Sequence, residues 1–254
     1  MINMKTSTIF FLLVLISGVA LGQRPSADMF ETSKGPLSIQ PLNHATLAFT
    51  WQGKTVYTDP NGGAKTFEGV ASPDLILITD IHGDHFNPET LEAISTTNAT
   101  LVVPQAVADK LSDNLKKKAV VLANGETKSI MNISITAVPM YNLPESGDTR
   151  HPKGRGNGYV LTFGNKKVYI SGDTSGIPEM RALKNIDVAF VCMNLPYTMD
   201  IKEASQAVLD FKPKVVYPYH YRGQSGLSDI QAFKKLVDDK SQNIDVRLRN
   251  WYAQ

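Results

Sequence analysis

The eight residues Thr79-Asp80-Ile81-His82-Gly83-Asp84-His85-Phe86 constrain this chain more than any other stretch. They carry two of its five histidines and two aspartates within six positions. The run before them, Asp74-Leu75-Ile76-Leu77-Ile78, reads as a short buried strand. Gly83 allows a sharp turn, so four side chains can converge from a loop at that strand's end. Imidazoles and carboxylates are the ligands that borderline and hard divalent metals take. A polar loop rich in His and Asp by chance is the bland alternative, and the crowding argues against it.

The 254 residues and ordinary apolar fraction suit one globular domain with a sizeable core. A formal net charge of +2 gives no nucleic-acid footprint, and no nucleic-acid partner is expected. No repeat or low-complexity tract is present. The N-terminus reads separately, with Lys5, an apolar run from Ile9 to Ile16 and the small residues of Ala20-Leu21-Gly22. This is the pattern of a secretory signal peptide over residues 1–22, cleaved before Gln23. The apolar run falls short of the roughly twenty residues a membrane span needs. No Cys lies in this region, which argues against a lipid anchor, and no stable membrane span is expected after cleavage. The mature chain, 23–254, is then one domain with a charge near +1 (2 − 1, for Lys5), exported to a periplasm or the medium. The lone Cys192 cannot form an intrachain disulfide and reads as a buried thiol beside Val188-Ala189-Phe190-Val191.

Strands and helices alternate through the mature chain. A polar lead over 23–34 precedes strands at 37–40, 45–51 and 55–58, the last two joined by a Gln52-Gly53 turn. Asn87-Pro88 starts a helix, with Asn87 as cap and Pro88 in its first turn. Strands are predicted over 101–103, 119–122 and 130–138, with an amphipathic helix over 105–115. In the second half, Gly164-Asn165 marks a hairpin between 159–163 and 167–170. Helices are predicted over 201–211 and 228–237, and strands over 214–217 and 245–248. Strands in both halves with helices between them suggest two sheets face to face, helices outside.

Three later residues sit where strands meet loops: His151 in Thr149-Arg150-His151-Pro152-Lys153-Gly154, Asp173 in Ser171-Gly172-Asp173-Thr174, and His220 after Val215-Val216-Tyr217-Pro218-Tyr219. Each alone is an ordinary loop residue. In order after the Asp80 loop, the set resembles the metallo-β-lactamase signature H-x-H-x-D-H followed by a His, an Asp and a final His. Asn43-His44-Ala45, Thr58-Asp59-Pro60, Tyr197-Thr198-Met199-Asp200 and Pro218-Tyr219-His220-Tyr221 make it similar to the lactonase-like branch related to ascorbate-6-phosphate lactonase. The resemblance spans nearly all of the mature chain. It implies an α/β fold, a four-layer αββα sandwich.

Carried over by position, the resemblance implies one metal at Asp80, His82 and His151, a second at Asp84, His85 and His220, and Asp173 bridging them. It implies two divalent ions, zinc first, with manganese or iron as alternatives. The sequence departs from the pattern at Asp80, where the family has His. Two divalent ions bring four positive charges; Asp80, Asp84, Asp173 and a bridging hydroxide bring four negative ones. The ligands alone therefore leave a neutral centre, which should weaken Lewis acidity, raise the pKa of bound water and favour harder ions. Slower chemistry or a higher pH optimum is expected, with a gain on Asp80→His.

The implied activity is hydrolysis by a metal-held hydroxide, with Asp84 as the catalytic residue that positions it and moves its proton. The bond cleaved in a small-molecule substrate is expected to be a lactone or phosphodiester ahead of an amide or β-lactam. His44 and Asp59 are expected to orient ligand imidazoles. Lys153 and Arg155 beside His151 could attract an anionic substrate or simply be solvated. No Gly-x-Ser-x-Gly elbow is present. The alternative is a catalytically weak metal- or ligand-binding protein that keeps the fold, which Asp80 keeps open; a redox enzyme with iron in the same scaffold is a third reading.

Overall fold

The computed structural model describes residues 24–94, 96–146 and 148–252. The expected signal peptide, 1–22, lies outside the described residues.

The first half lays down a seven-stranded sheet: β1 (Asp28–Thr32), β2 (Gly35–Asn43), β3 (Thr46–Trp51), β4 (Lys54–Thr58), β5 (Leu75–Leu77), β6 (Thr100–Val103) and β7 (Ala119–Val121), in spatial order β1-β2-β3-β4-β5-β6-β7. The second half repeats the plan with β8 (Thr127–Ile130), β9 (Ile133–Met140), β10 (Gly156–Phe163), β11 (Lys166–Ile170), β12 (Val188–Cys192), β13 (Val215–Tyr219), a small hairpin β14 (Arg222–Gly223) and β15 (Gly226–Leu227), and β16 (Asp245–Val246). Its order is β8-β9-β10-β11-β12-β13-β16. In each sheet the first four strands pair antiparallel and the remainder parallel. Helices α1 (Pro88–Ala93), α2 (Gln105–Ala108) and α3 (Asp113–Lys116) fall in the first half; α4 (Pro178–Arg181), α5 (Ile201–Phe211) and α6 (Ile230–Asp238) fall in the second.

Side-chain alternation sorts the layers. A strand sends successive side chains to opposite faces. In β3, Leu47, Phe49 and Trp51 join the core between the sheets, and Ala48 joins a separate outer core. In β5, Leu75 and Leu77 face inward; Ile76 faces outward with Ile78. That outer core is closed by Leu91 of α1, Val107 of α2 and Leu111. On the far side, Ala204, Ala207, Val208 and Phe211 of α5 and Phe233 and Val237 of α6 bury a helical stripe. The result is the four-layer αββα sandwich. Among the described residues, no helix is long and apolar enough to cross a membrane.

Two expectations need correction. The polar lead contains β1, an edge strand whose Asp28 accepts hydrogen bonds from Arg249 Nη2 (2.7 and 2.8 Å) and from the Tyr217 hydroxyl (2.8 Å). Its partners lie some two hundred positions away, and no local pattern announces them. The helix over 105–115 is two single turns. Ser112 between them is extended (φ −63°, ψ 157°), and the chain bends through 108–111, where Leu111 N–H donates to Ala108 O. The bend buries Leu111 beside Val107.

Phe190 stands at the middle of the inner core, fully buried. It stacks on Tyr217 (centroids 4.9 Å) and meets Phe49, Tyr219 and Trp251 edge-on. Phe190→Ala should therefore cost about 3–5 kcal/mol, read as a lower urea midpoint with an unchanged slope.

Candidate metal centre and active site

The loops that carry the predicted ligands leave one edge of the sandwich, largely at the C-terminal ends of parallel strands, where open α/β sheets place ligands. Asp59 follows β4, Asp80 to His85 follow β5, Asp173 follows β11 and His220 follows β13. His44 follows β2, and His151 precedes β10. All five histidines of the chain thus meet in one place.

Asp59 builds the frame. It is fully buried and left-handed (φ 44°). Its Oδ1 accepts from Thr79 N–H (2.8 Å), and its Oδ2 from the Thr79 hydroxyl (2.7 Å) and His85 Nδ1 (2.8 Å). A carboxylate there assigns the ring proton to Nδ1, so His85 Nε2 presents a lone pair. Asn142 does the same for His151. Its Oδ1 accepts from His151 N–H (2.9 Å) and Nδ1 (3.0 Å), which turns Nε2 inward. Gly172 has φ 62°, and a Cβ there would come 2.5 Å from Met140 Sδ, so glycine at this point delivers Asp173 to the centre.

The ligand atoms fall into three overlapping groups: Asp80, His82 and His151; His85, Asp173 and His220; and His44, Asp84 and His220. In the first, Asp80 Oδ2 lies 2.6 Å from His82 Nδ1 and 3.9 Å from His151 Nε2. In the second, His85 Nε2 lies 3.2 Å from His220 Nε2 and 3.3 Å from Asp173 Oδ2. Asp84 Oδ2 lies 3.2 Å from His220 Nε2, and its Oδ1 3.9 Å from His85 Nε2. Asp173 touches both sides, with Oδ2 3.3 Å from His151 Nε2 and Oδ1 3.3 Å from His220 Nε2. The seven predicted positions therefore converge, with Asp173 between the two sets.

The donor set fits a divalent cation. His151 Nε2, His82 Nδ1 and Asp173 Oδ1 are buried against other candidate ligand atoms and have no partner in good hydrogen-bond geometry among the described residues. Buried polar atoms are normally satisfied, and crowded lone pairs repel unless a cation or protons lie among them. Asp173 is held well below the usual carboxylate range: burial opposes ionisation, but His220, His85 and His151 outweigh it. For His85, burial opposes protonation, but Asp173, Asp59 and Asp84 outweigh it and raise its pKa well above 6.5. Burial raises and the neighbouring histidines lower the pKa of Asp84, and the net direction is down.

Several surrounding residues take roles the sequence did not disclose. Arg155 Nε and Nη2 grip both oxygens of Asp80, at 3.1 and 3.0 Å. Arg155 is therefore not a free anion trap, and Lys153 is paired with Glu145 (3.2 Å) and Glu179 (3.4 Å). His44 has its Nε2 3.3 Å from Asp84 Oδ2, its Nδ1 2.8 Å from the Tyr252 hydroxyl, and its ring 3.9 Å from that of His220. A cleft of about 250 Å³ opens beside Asp84, lined by Asn43, His44, Asn61, Arg222 and Tyr252. The Arg222 guanidinium lies 4.0 Å over the Tyr252 ring. Arg222 was not singled out from the sequence, and its place two residues after His220 is the one signal that could have done so; Asn142 and Tyr252 gave none. Cys192 is buried, its Sγ donates to Thr174 O at 3.5 Å, and burial with nearby Asp173 pushes its thiol to about 11. It is an inert core thiol.

A sandwich of this layer order, with His and Asp ligands at one edge, defines a metallo-β-lactamase-fold enzyme. Residues 38–220 match the family described as Beta-lactamase superfamily domain, and the chain belongs to it as a metal-dependent hydrolase. It is 31% identical over 217 residues to a UPF0173 metal-dependent hydrolase of Thermococcus onnurineus, across 82% of this chain and 95% of that one. The crystal structure of a Parabacteroides distasonis protein assigned as a metal-dependent hydrolase is similar at 38% identity and TM-score 0.78, covering 88% of this chain and 98% of that one. Igni18, a metallo hydrolase of Ignicoccus hospitalis, shares the fold at 23% identity and TM-score 0.71, covering 84% and 95%.

The raised pKa of His85 fixes a pH dependence. In metal-free protein, protonated His85 between Asp59 and Asp173 stabilises the fold fully below pH 6.5, and that contribution is lost as pH rises through the raised folded value. Metal needs the deprotonated ring. The melting-temperature increment on adding zinc should therefore grow as pH rises above 6.5; a pH-independent increment would contradict the assignment.

Proposed function

We propose that this protein is an exported dinuclear metallohydrolase that cleaves a lactone or phosphodiester in a small anionic molecule. The observation that carries the reading is the convergence of Asp80, His82 and His151 on one side of Asp173 and of Asp84, His85 and His220 on the other. Divalent ions held there would supply Lewis acidity and lower the pKa of a water toward neutrality. The chain's own residues do the rest. Asp59 and Asn142 fix the rings of His85 and His151 before substrate arrives, so no reorganisation is needed at the moment of reaction. Asp84 is 40% exposed, whereas Asp80, His85, His151, Asp173 and His220 are at most 4% exposed. It faces the cleft and is our choice for orienting the attacking water and taking its proton. His44 stands next in line, between Asp84 and the Tyr252 hydroxyl.

Arg222 replaces Lys153 and Arg155 as the cation facing substrate. No carboxylate partner is found for it among the described residues, and Tyr252 supports its flat face. A planar fork suits a carboxylate or phosphate on the substrate. The lactone or phosphodiester choice rests on the sequence segments shared with the lactonase-like branch. Export rests on residues 1–22, and N-terminal sequencing of the secreted or periplasmic protein should begin at Gln23.

Metal analysis of protein purified without chelators should give close to two ions per chain. A value near one or zero, not restored by added metal, would replace this reading with a binding protein that keeps the fold. Zinc leads, with manganese or iron as alternatives. The same fold at 20% identity (TM-score 0.65) is found in CmlA, a diiron β-hydroxylase of Streptomyces venezuelae, so a visible absorption band would point to iron. Arg222→Ala should leave metal content unchanged and raise KM for anionic substrates about tenfold or more, the weight of a charge-assisted hydrogen bond. An unchanged KM across anionic and neutral substrates would remove Arg222 from recognition.

A further inference from the structure

Asp80 is where this chain departs from the metallo-β-lactamase signature it resembles, and the structure supplies the compensation. The carboxylate is fully buried, and a buried carboxylate needs a partner. Arg155 reaches it across 75 positions as a two-pronged fork, Nε to Oδ1 at 3.1 Å and Nη2 to Oδ2 at 3.0 Å. The fork takes one lone-pair direction on each oxygen. Oδ2 keeps another, and that oxygen lies against His82 Nδ1 and within 3.9 Å of His151 Nε2. The carboxylates Asp80, Asp84 and Asp173 alone carry three negative charges; with Arg155 the sum is two, which is the sum for a set with histidine at position 80.

We propose that Arg155 is a positioning residue that makes Asp80 the equivalent of a histidine ligand: the bidentate pair is neutral as a unit and presents a single oxygen to the cation position of His82 and His151. The inference rests on the metal reading above. It reverses the consequence expected from the ligands alone. Asp80 does not leave the centre one charge too negative, and replacing it by histidine does not improve the site. Asp80→His strands the Arg155 guanidinium, partly buried and unpaired, against the cations.

Zinc titration of the apo protein, followed by calorimetry and by metal count per chain, tests this in wild type, Asp80→His, Arg155→Gln and the double variant. Asp80→His should weaken the more weakly held ion by about tenfold or more, the usual cost of disturbing a group that orients a ligand. The double variant, with histidine and no stranded cation, should recover most of that loss. An Asp80→His chain that binds both ions as tightly as wild type overturns the inference, and so does a double variant no better than Asp80→His. A wild-type chain that takes up fewer than two ions overturns the metal reading and this inference with it. A second readout uses the wild-type protein and so survives a variant that fails to fold. The Arg155 Nε–H resonance, assigned by its loss in Arg155→Lys, should remain slowly exchanging when zinc is added. Rapid exchange on zinc addition would show that the metal expels Arg155 from Asp80 and would overturn the proposal.

Discussion

The site depends first on one carboxylate that touches no predicted ligand except His85. Asp59 receives three donors on two oxygens, all from the loop after β5: the Thr79 amide, the Thr79 hydroxyl and the His85 ring. It thereby fixes where that loop starts and how its last histidine is turned. Its own backbone N–H donates to Leu77 O (2.9 Å), which locks it to the β4–β5 pair. Across the sandwich, Asp173 lies 3.3 Å from the other nitrogen of the same ring. His85 is held by one carboxylate from each half, each at the end of the strand where its sheet changes from antiparallel to parallel. The surroundings of His85 are therefore complete only where the two sheets are docked.

That assembly has a backbone cost. His44 (φ 53°), Asp59 (φ 44°) and His220 (φ 47°) all adopt the left-handed conformation that non-glycine residues avoid, at about 1–3 kcal/mol each. Each sits at the end of a strand whose register the sheet determines. His220 N–H donates to His44 O (3.2 Å), so two of the strained turns close on each other across the sheets. Gln52, Met131, Asn132, Asn185 and Lys212 are left-handed elsewhere in the chain, so it is the closure of His44 and His220 on each other, and not left-handed backbone as such, that sets this centre apart.

The convergence of the candidate ligands was legible in the sequence because the chemistry is local at each strand end and the order of the ends is the order of the chain. Asp80, His82, Asp84 and His85 sit within six positions, and His151, Asp173 and His220 follow in sequence. The layers were legible because alternation along β3 and β5 sorts inner from outer core. What was hidden depends on side chains that cross the fold. Arg155 sits in a glycine-rich loop that looks solvated, and nothing local shows that it turns onto Asp80. Asn142 and Tyr252 act on His151 and His44 from positions without any ligand pattern. The strand β1 escaped because its charged Asp28 is tied down by Arg249, near the opposite end of the chain.

The electrostatics of the centre also cannot be counted from its ligands. Counted alone, the carboxylates suggest a centre poorer in positive charge than one with histidine at position 80. The structure adds Arg155 to the buried side of Asp80 and Arg222 to the open side near Asp84, and the two cations do different work. Arg155 is spent on a carboxylate within hydrogen-bond reach, so its field is largely cancelled beyond the pair. Among the described residues Arg222 has no such partner and rests on a tyrosine ring, so its field extends into the cleft, where a low-dielectric wall on one side strengthens it. The two arginines are thus placed differently, Arg155 against a buried carboxylate of the cluster and Arg222 in the cleft beside Asp84.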